Sequence, residues 1–191
     1  MTYLGPRDCE ALETKLDHVR EIFRLHGITS CIETPVIELL GPGSEVHLRD
    51  QGGQLCCLRP SLRESFARYA ASRKLRYLRA YQIGKVYHRS TSGNPLETYQ
   101  ISMDMLCEDP LTGDALAAEC VKILDQILSP EIAIVTSTRL IPYCEAVSCS
   151  SRVTFRDQAC TLATHEGRTV ARAGRYSSHG VRAVGLVIDV E

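Results

Sequence analysis

Between residues 8 and 26, Leu12, Leu16, Val19, Ile22 and Phe23 recur three or four positions apart, and His26 continues the stripe. That spacing predicts an amphipathic helix of about five turns, with Asp8 available as its cap and Gly27 just past its end. Ile28 to Leu40 reads as extended, but Pro35 has no N–H to donate to a ladder, which places the segment at a sheet edge or a subunit boundary. Gly41 to Ser44 marks a loop. Leu55 to Arg59 is a short strand, and Ser61 to Arg73 a helix that Ser61 caps after Pro60. Tyr77 to Arg89 and Glu97 to Cys107 are β-rich runs on either side of Ser90-Thr-Ser-Gly-Asn-Pro95, so 77–107 reads as an antiparallel hairpin. Asp109 to Gly113 breaks the chain before a helix, Ala115 to Leu128, which Ser129-Pro130 ends. Four further strands are expected at Ile132 to Thr136, Tyr143 to Cys149, Val153 to Ala163 and Val184 to Val190. With too few helices for alternating βαβ units, the pattern implies an α+β fold with a mainly antiparallel sheet flanked by helices.

Composition narrows this picture. A chain of 191 residues, 44% hydrophobic, suits one domain. Its 22 basic and 23 acidic residues give no whole-molecule field toward nucleic acid or membrane. The one local basic run, Arg59 to Arg89, sets nine Lys and Arg against Glu64 and is open to two readings, an RNA-binding patch or a solvated face. No stretch approaches the ~20 apolar residues that span a bilayer, and the first residues lack a signal peptide's apolar run. The nine cysteines are odd in number and form no C-x-x-C pair, and Cys144 and Cys149 are too far apart for a usual zinc knuckle. No histidine spacing suggests a metal. The expectation is a soluble cytoplasmic protein with reduced thiols used as small core residues.

Several segments, taken in chain order, resemble the histidyl-tRNA synthetases, which are class II aminoacyl-tRNA synthetases. Gly5-Pro-Arg-Asp8 is similar to the opening of their catalytic domain. Ile32 to Glu38 is similar to motif 1, whose proline, here Pro35, sits at the dimer interface. Asp50 to Leu55 and Pro60 to Tyr69 resemble the histidine-binding segment in its eukaryotic form. Tyr81 to Met105 resembles motif 2, Ala173-Gly-Arg-Tyr176 a family turn, and Ala183 to Glu191 the motif 3 strand. The resemblance implies a homodimer, and it implies ATP, magnesium, histidine and tRNA as the ligands of an active member. It also implies one synthetase-like domain over 1–191, without the family's insertion domain between Leu128 and Ile132 and without an anticodon-binding domain.

Position by position, the resemblance assigns roles and exposes departures. Gln100 and Asp104 match substrate-binding positions on motif 2's return strand. Ser61 stands where the family holds the substrate's ammonium with a carboxylate, and Arg63 where it has a threonine, so a cation enters a site built for a cation. The nucleotide-binding arginine of motif 2 aligns with His88, and the adjacent Arg89 is expected on the other face of the strand. A histidine lacks the planar fork that grips phosphate. Arg139 aligns with the family's catalytic arginine, but it also reads as a solvent-facing arginine before a strand. Two functions follow. One is a catalytically impaired synthetase paralogue used for dimerisation and regulation or tRNA or ligand sensing, akin to the synthetase-like domain of the amino-acid-starvation kinase or the regulatory subunit of ATP phosphoribosyltransferase, needing no cofactor. The alternative is a minimal active core that forms histidyl adenylate from histidine and ATP with magnesium.

Overall fold

A computed structural model describes residues 6–40 and 44–190; Gly5, Gly41 to Gly43 and Glu191 lie outside them. Helix α1, Pro6–Leu25, buries Leu16, Val19, Ile22 and Phe23. It ends where Gly27 takes a φ of 69° and the Ile28 N–H reaches back to the Phe23 carbonyl at 2.8 Å. Asp8 falls within the first turn instead of capping it, since a proline such as Pro6 is tolerated where the N–H has no intrahelical partner. Strand β1, Ser30–Cys31, then pairs in parallel with the edge of the main sheet.

Three short strands, β2 (Ile37–Leu39), β3 (His47–Arg49) and β4 (Leu55–Leu58), form a separate antiparallel sheet in the order β2-β4-β3. Helix α2, Leu62–Ser72, follows with Ser61 at its cap. The hairpin is as expected: β5, Arg79–Arg89, pairs with β6, Pro95–Leu106. Helix α3, Pro110–Ile127, starts earlier than its apolar pattern suggested, because the Asp109 carboxylate accepts from the Thr112 N–H at 2.7 Å and caps it. Strand β7 (Ala133–Ser137) leads through a 3-10 turn, Thr138–Leu140, into helix α4 (Ile141–Ala146). Strands β8 (Val153–Arg156), β9 (Thr161–His165), β10 (Arg168–Ser178) and β11 (Val181–Val190) complete the chain.

The eight-stranded sheet runs β1-β5-β6-β11-β10-β9-β7-β8, antiparallel except at β1–β5 and β7–β8. Three expectations are corrected. The strand expected at Tyr143 to Cys149 is the helix α4 and the turn after it, begun by Pro142 in the first helical turn. The single strand expected over Val153 to Ala163 is two, β8 and β9, parted by a bend that the Gln158 amide holds by donating to the Val135 and Cys160 carbonyls at 2.8 and 2.6 Å. Ala173 to Tyr176 is no turn but the middle of β10, an alanine- and arginine-rich strand of low intrinsic preference that is paired on both edges.

Helices α1 and α3 cover one face of the sheet. Their apolar stripes meet Ile101, Met103 and Met105 of β6 and the facing Ile188, Leu186 and Val184 of β11. On the other face α2 lays Phe66 and Ala70 over Ala80, Leu106 and Ala183. Among the described residues no helix is long and apolar enough to cross a membrane.

Candidate functional site

Because successive residues of a strand point to opposite faces, the partners that alternate with Ile101, Met103 and Met105 all look toward α2. Those are Gln100, Ser102 and Asp104, each buried. Around Gln100 the start of α2 is clamped to the sheet. The Leu62 N–H donates to the Gln100 side-chain oxygen at 2.9 Å, and the Gln100 amide nitrogen donates to Asp189 at 3.0 Å. Gln82 donates to the Leu62 carbonyl at 2.9 Å and accepts from the Thr34 hydroxyl at 2.8 Å. Ser61 accepts from the Arg63 N–H at 3.2 Å, so its hydroxyl serves the helix end. Both ends of the Gln100 amide are thus engaged within the chain.

Asp104 is the centre of the arrangement and is 1% exposed. It accepts from the Ser102 hydroxyl and from the Tyr176 hydroxyl, the latter at 2.8 Å. Across the ladder, Gly185 makes room for it. A Cβ there would lie 2.2 Å from the Asp104 carboxylate oxygen and 2.6 Å from the Met103 carbonyl. Arg63 closes the site: its Nε is 3.6 Å from Asp104 and its guanidinium lies 4.6 Å from the centre of the Tyr176 ring. At 3.6 Å this contact is an ion pair and not a hydrogen bond, and the buried Nε and Nη2 of Arg63 have no hydrogen-bond partner. Burial raises the Asp104 carboxyl above its ordinary range, against the opposing pull of Arg63, Ser102 and Tyr176. Burial, and then the charge of Asp104, push the Tyr176 phenol up. Arg63 thus stands beside a buried acid and over an aromatic face.

The remaining site residues are dispersed. Arg89 is fastened to the loop before β3 and to the hairpin turn, its backbone N–H to the Glu45 carboxylate at 2.6 Å and its side chain to the Glu45 and Gly93 carbonyls at 2.7 and 3.0 Å. His88, half-buried, points to the opposite side of β5 from it. Arg139 is exposed and pairs with Asp114 of α3 at 2.8 Å, an acid it shares with Arg175 at the same distance. Arg175 faces the α3 side of β10 and Tyr176 the α2 side, so the sheet separates Arg139 from Asp104. Pro35 is exposed in the link between β1 and β2.

The basic run does not form a free patch. Arg59 is buried, donating to the Lys85 and Thr34 carbonyls at 2.7 and 2.8 Å, and burial lowers its pKa. Arg68 pairs with Glu38 at 3.1 Å, Arg79 with Glu119, and Lys85 with Glu97 at 2.7 Å. Arg73, Lys74 and Arg76 remain exposed. Two cavities, of 320 and 460 Å³, adjoin Glu108 and Arg182; the first is lined by Tyr176, and neither by Ser61, Arg63, Gln100 or Asp104. Sequence reasoning missed Ser102 and Tyr176 as partners of Asp104. The alternation of β6 carries the signal for Ser102, but Tyr176 is brought there only by the pairing of β10 with β11.

No family model matches the chain. A probable cytoplasmic histidine–tRNA ligase of Encephalitozoon cuniculi is 36% identical over 139 aligned positions, covering 65% of this chain and 31% of that protein. The mitochondrial histidine–tRNA ligase of Mus musculus is 36% identical over 140, covering 66% and 27%. Among solved structures, an ATP phosphoribosyltransferase regulatory subunit/histidyl-tRNA synthetase from Bacillus halodurans superposes with a TM-score of 0.84 at 15% identity, over 99% of this chain and 79% of that one. The chain is homologous to histidyl-tRNA synthetases and has their class II synthetase-like α+β fold. It spans between a quarter and a third of the length of the curated relatives it matches.

Proposed function

We propose that the chain is a catalytically impaired histidyl-tRNA synthetase-like module whose amino-acid site is filled by its own Arg63, and that it works through dimerisation and regulation. One observation carries this reading. The Arg63 guanidinium sits against buried Asp104 and over Tyr176, where an anion and an aromatic face would otherwise receive a ligand's ammonium group. A second cation brought into that site meets repulsion instead of attraction. The hydrogen-bond capacity of Gln100, the other substrate position, is directed to Leu62 and Asp189.

On the nucleotide side, His88 replaces a guanidinium fork with an imidazole, which lacks the planar bidentate donors that grip a phosphate, and Arg89 is held by Glu45 and Gly93. Among the described residues no group of three His, Cys, Asp or Glu side chains is placed to hold a metal ion. Homodimerisation is supported by the small sheet beside Pro35. Its outer face carries Ile37, Leu39 and Leu48, which are 57%, 63% and 37% exposed, a contiguous apolar surface of the kind that marks an interface.

The reading is tested by thermal shift with histidine on the chain and on Arg63→Met, which keeps the apolar stem and removes the cation. The expected result is no shift for the unaltered chain and a concentration-dependent rise for the variant. A histidine-dependent rise in the unaltered chain would refute self-occupation. Transfer RNA is tested on the same material by binding at two salt concentrations, and retained salt-sensitive binding supports a sensor role.

A further inference from the structure

Cys144 and Cys149 lie apart from the Asp104 site, in α4 and the turn that follows it. Cys144 is 2% exposed at the end of α4, and Cys149 is half-buried five residues later. The chain folds one onto the other: the Cys149 N–H donates to the Cys144 carbonyl at 3.1 Å, while Ser148 takes a φ of 55° to turn the backbone. With the Ser148 N–H also donating to the Glu145 carbonyl at 3.1 Å, this is a Schellman turn, which sets the side chains of its first and last residues, Cys144 and Cys149, against each other. The segment is firmly seated on α3. Lys122 donates to the Ser148 carbonyl at 2.6 Å, and the Ser150 N–H and hydroxyl donate to the Asp125 carboxylate at 2.8 and 2.6 Å.

We propose that Cys144 and Cys149 are a redox-reactive dithiol that closes to an intramolecular disulfide by exchange with a small-molecule disulfide. Cys149 attacks first. Its thiol is held below the ordinary value by the Cys144 S–H donated to it and by Lys122, against burial and Asp125, while Cys144 is pushed up by the same bond and by burial. The Cys149 thiolate, its proton released to water, attacks one sulfur of the small disulfide, forming a mixed disulfide and expelling one thiolate. Cys144 then gives its proton to solvent base and attacks the Cys149 sulfur, expelling the second thiolate. The two cysteines lose two electrons and two protons, and the small disulfide becomes two thiols. The accessible, more acidic thiol is thus the attacking one and the buried thiol the resolving one. The product locks the last turn of α4 to the loop that Lys122 and Asp125 hold.

The test uses the native chain with oxidised glutathione, followed by alkylation and trypsin, which releases residues 140–152 as one fragment holding both thiols. The expected fragment lacks two hydrogen atoms and takes no alkylating agent. Cys144→Ser should trap glutathione on Cys149, and Cys149→Ser should leave Cys144 unmodified. Closure should slow when the chain is unfolded in urea. A fragment that keeps both thiols after the exposed Cys9 and Cys160 have reacted, that carries glutathione on each cysteine, or that closes as fast in urea would overturn the proposal.

Discussion

Along β6 the chain faces two ways. Ile101, Met103 and Met105 enter the layer beneath α1 and α3, while Gln100, Ser102 and Asp104 enter the layer beneath α2. Both layers are buried, but they are built on different terms. The apolar layer asks only for volume, and its contacts are non-directional. The polar layer asks for a partner at every donor and acceptor, because a buried polar group without one is costly. Here Gln100 finds them within the chain in Leu62 and Asp189 and Asp104 in Tyr176, while Arg63 meets Asp104 as an ion pair and keeps two buried nitrogens without a hydrogen-bond partner.

The difference is sharpest where volume is removed. Phe23 is fully buried under the apolar face and packs its ring 5.3 Å from that of Tyr81; Phe23→Ala should cost about 3–5 kcal/mol in denaturant unfolding. Gly185→Ala adds volume to the polar face where the Met103 carbonyl cannot yield, and should cost about 1–3 kcal/mol. If Gly185→Ala is silent, Asp104 is not packed as described.

The polar face also leaves a signature in pH. The Asp104 carboxyl is raised above its unfolded value, so its contribution to stability is fully present below the ordinary carboxylate range, ~3.9, and is lost as pH rises through the raised value. Unfolding followed across that window should show this fall, and Asp104→Asn should flatten it. A profile identical in both chains would place the titration elsewhere. The smallest effect is expected at the surface. Leu39→Lys, at a position 63% exposed, should change monomer stability by no more than about 0.5 kcal/mol yet weaken self-association in sedimentation. Unchanged association would remove the small sheet as an interface.

Much of this organisation was legible in the sequence. The 3.6-residue stripe of α1, the Ser61 cap of α2 and the turn between β5 and β6 are local signals, and the structure keeps each of them. What was not legible depends on partners far along the chain. Strand β10 has little intrinsic preference and forms because β9 and β11 flank it. The same pairing brings the Tyr176 hydroxyl to Asp104, 72 residues away. The segment around Tyr143 carries enough apolar residues for a strand, yet Pro142 starts a helix there. That Arg63 would lie beside Asp104 was not legible either, because the two are 41 residues apart and meet only when α2 packs on β6. Arg139 was assigned a role by resemblance alone, and its partner, Asp114, which it shares with Arg175, lies on a helix 25 residues earlier.

The most direct test of a self-occupied site is histidine-dependent ATP–pyrophosphate exchange by the purified chain with magnesium present. With Arg63 held by Asp104 and Tyr176, the account predicts no exchange above the histidine-free background. Exchange that depends on histidine and disappears in Arg139→Ala would contradict it, and would make the chain a working adenylate-forming core.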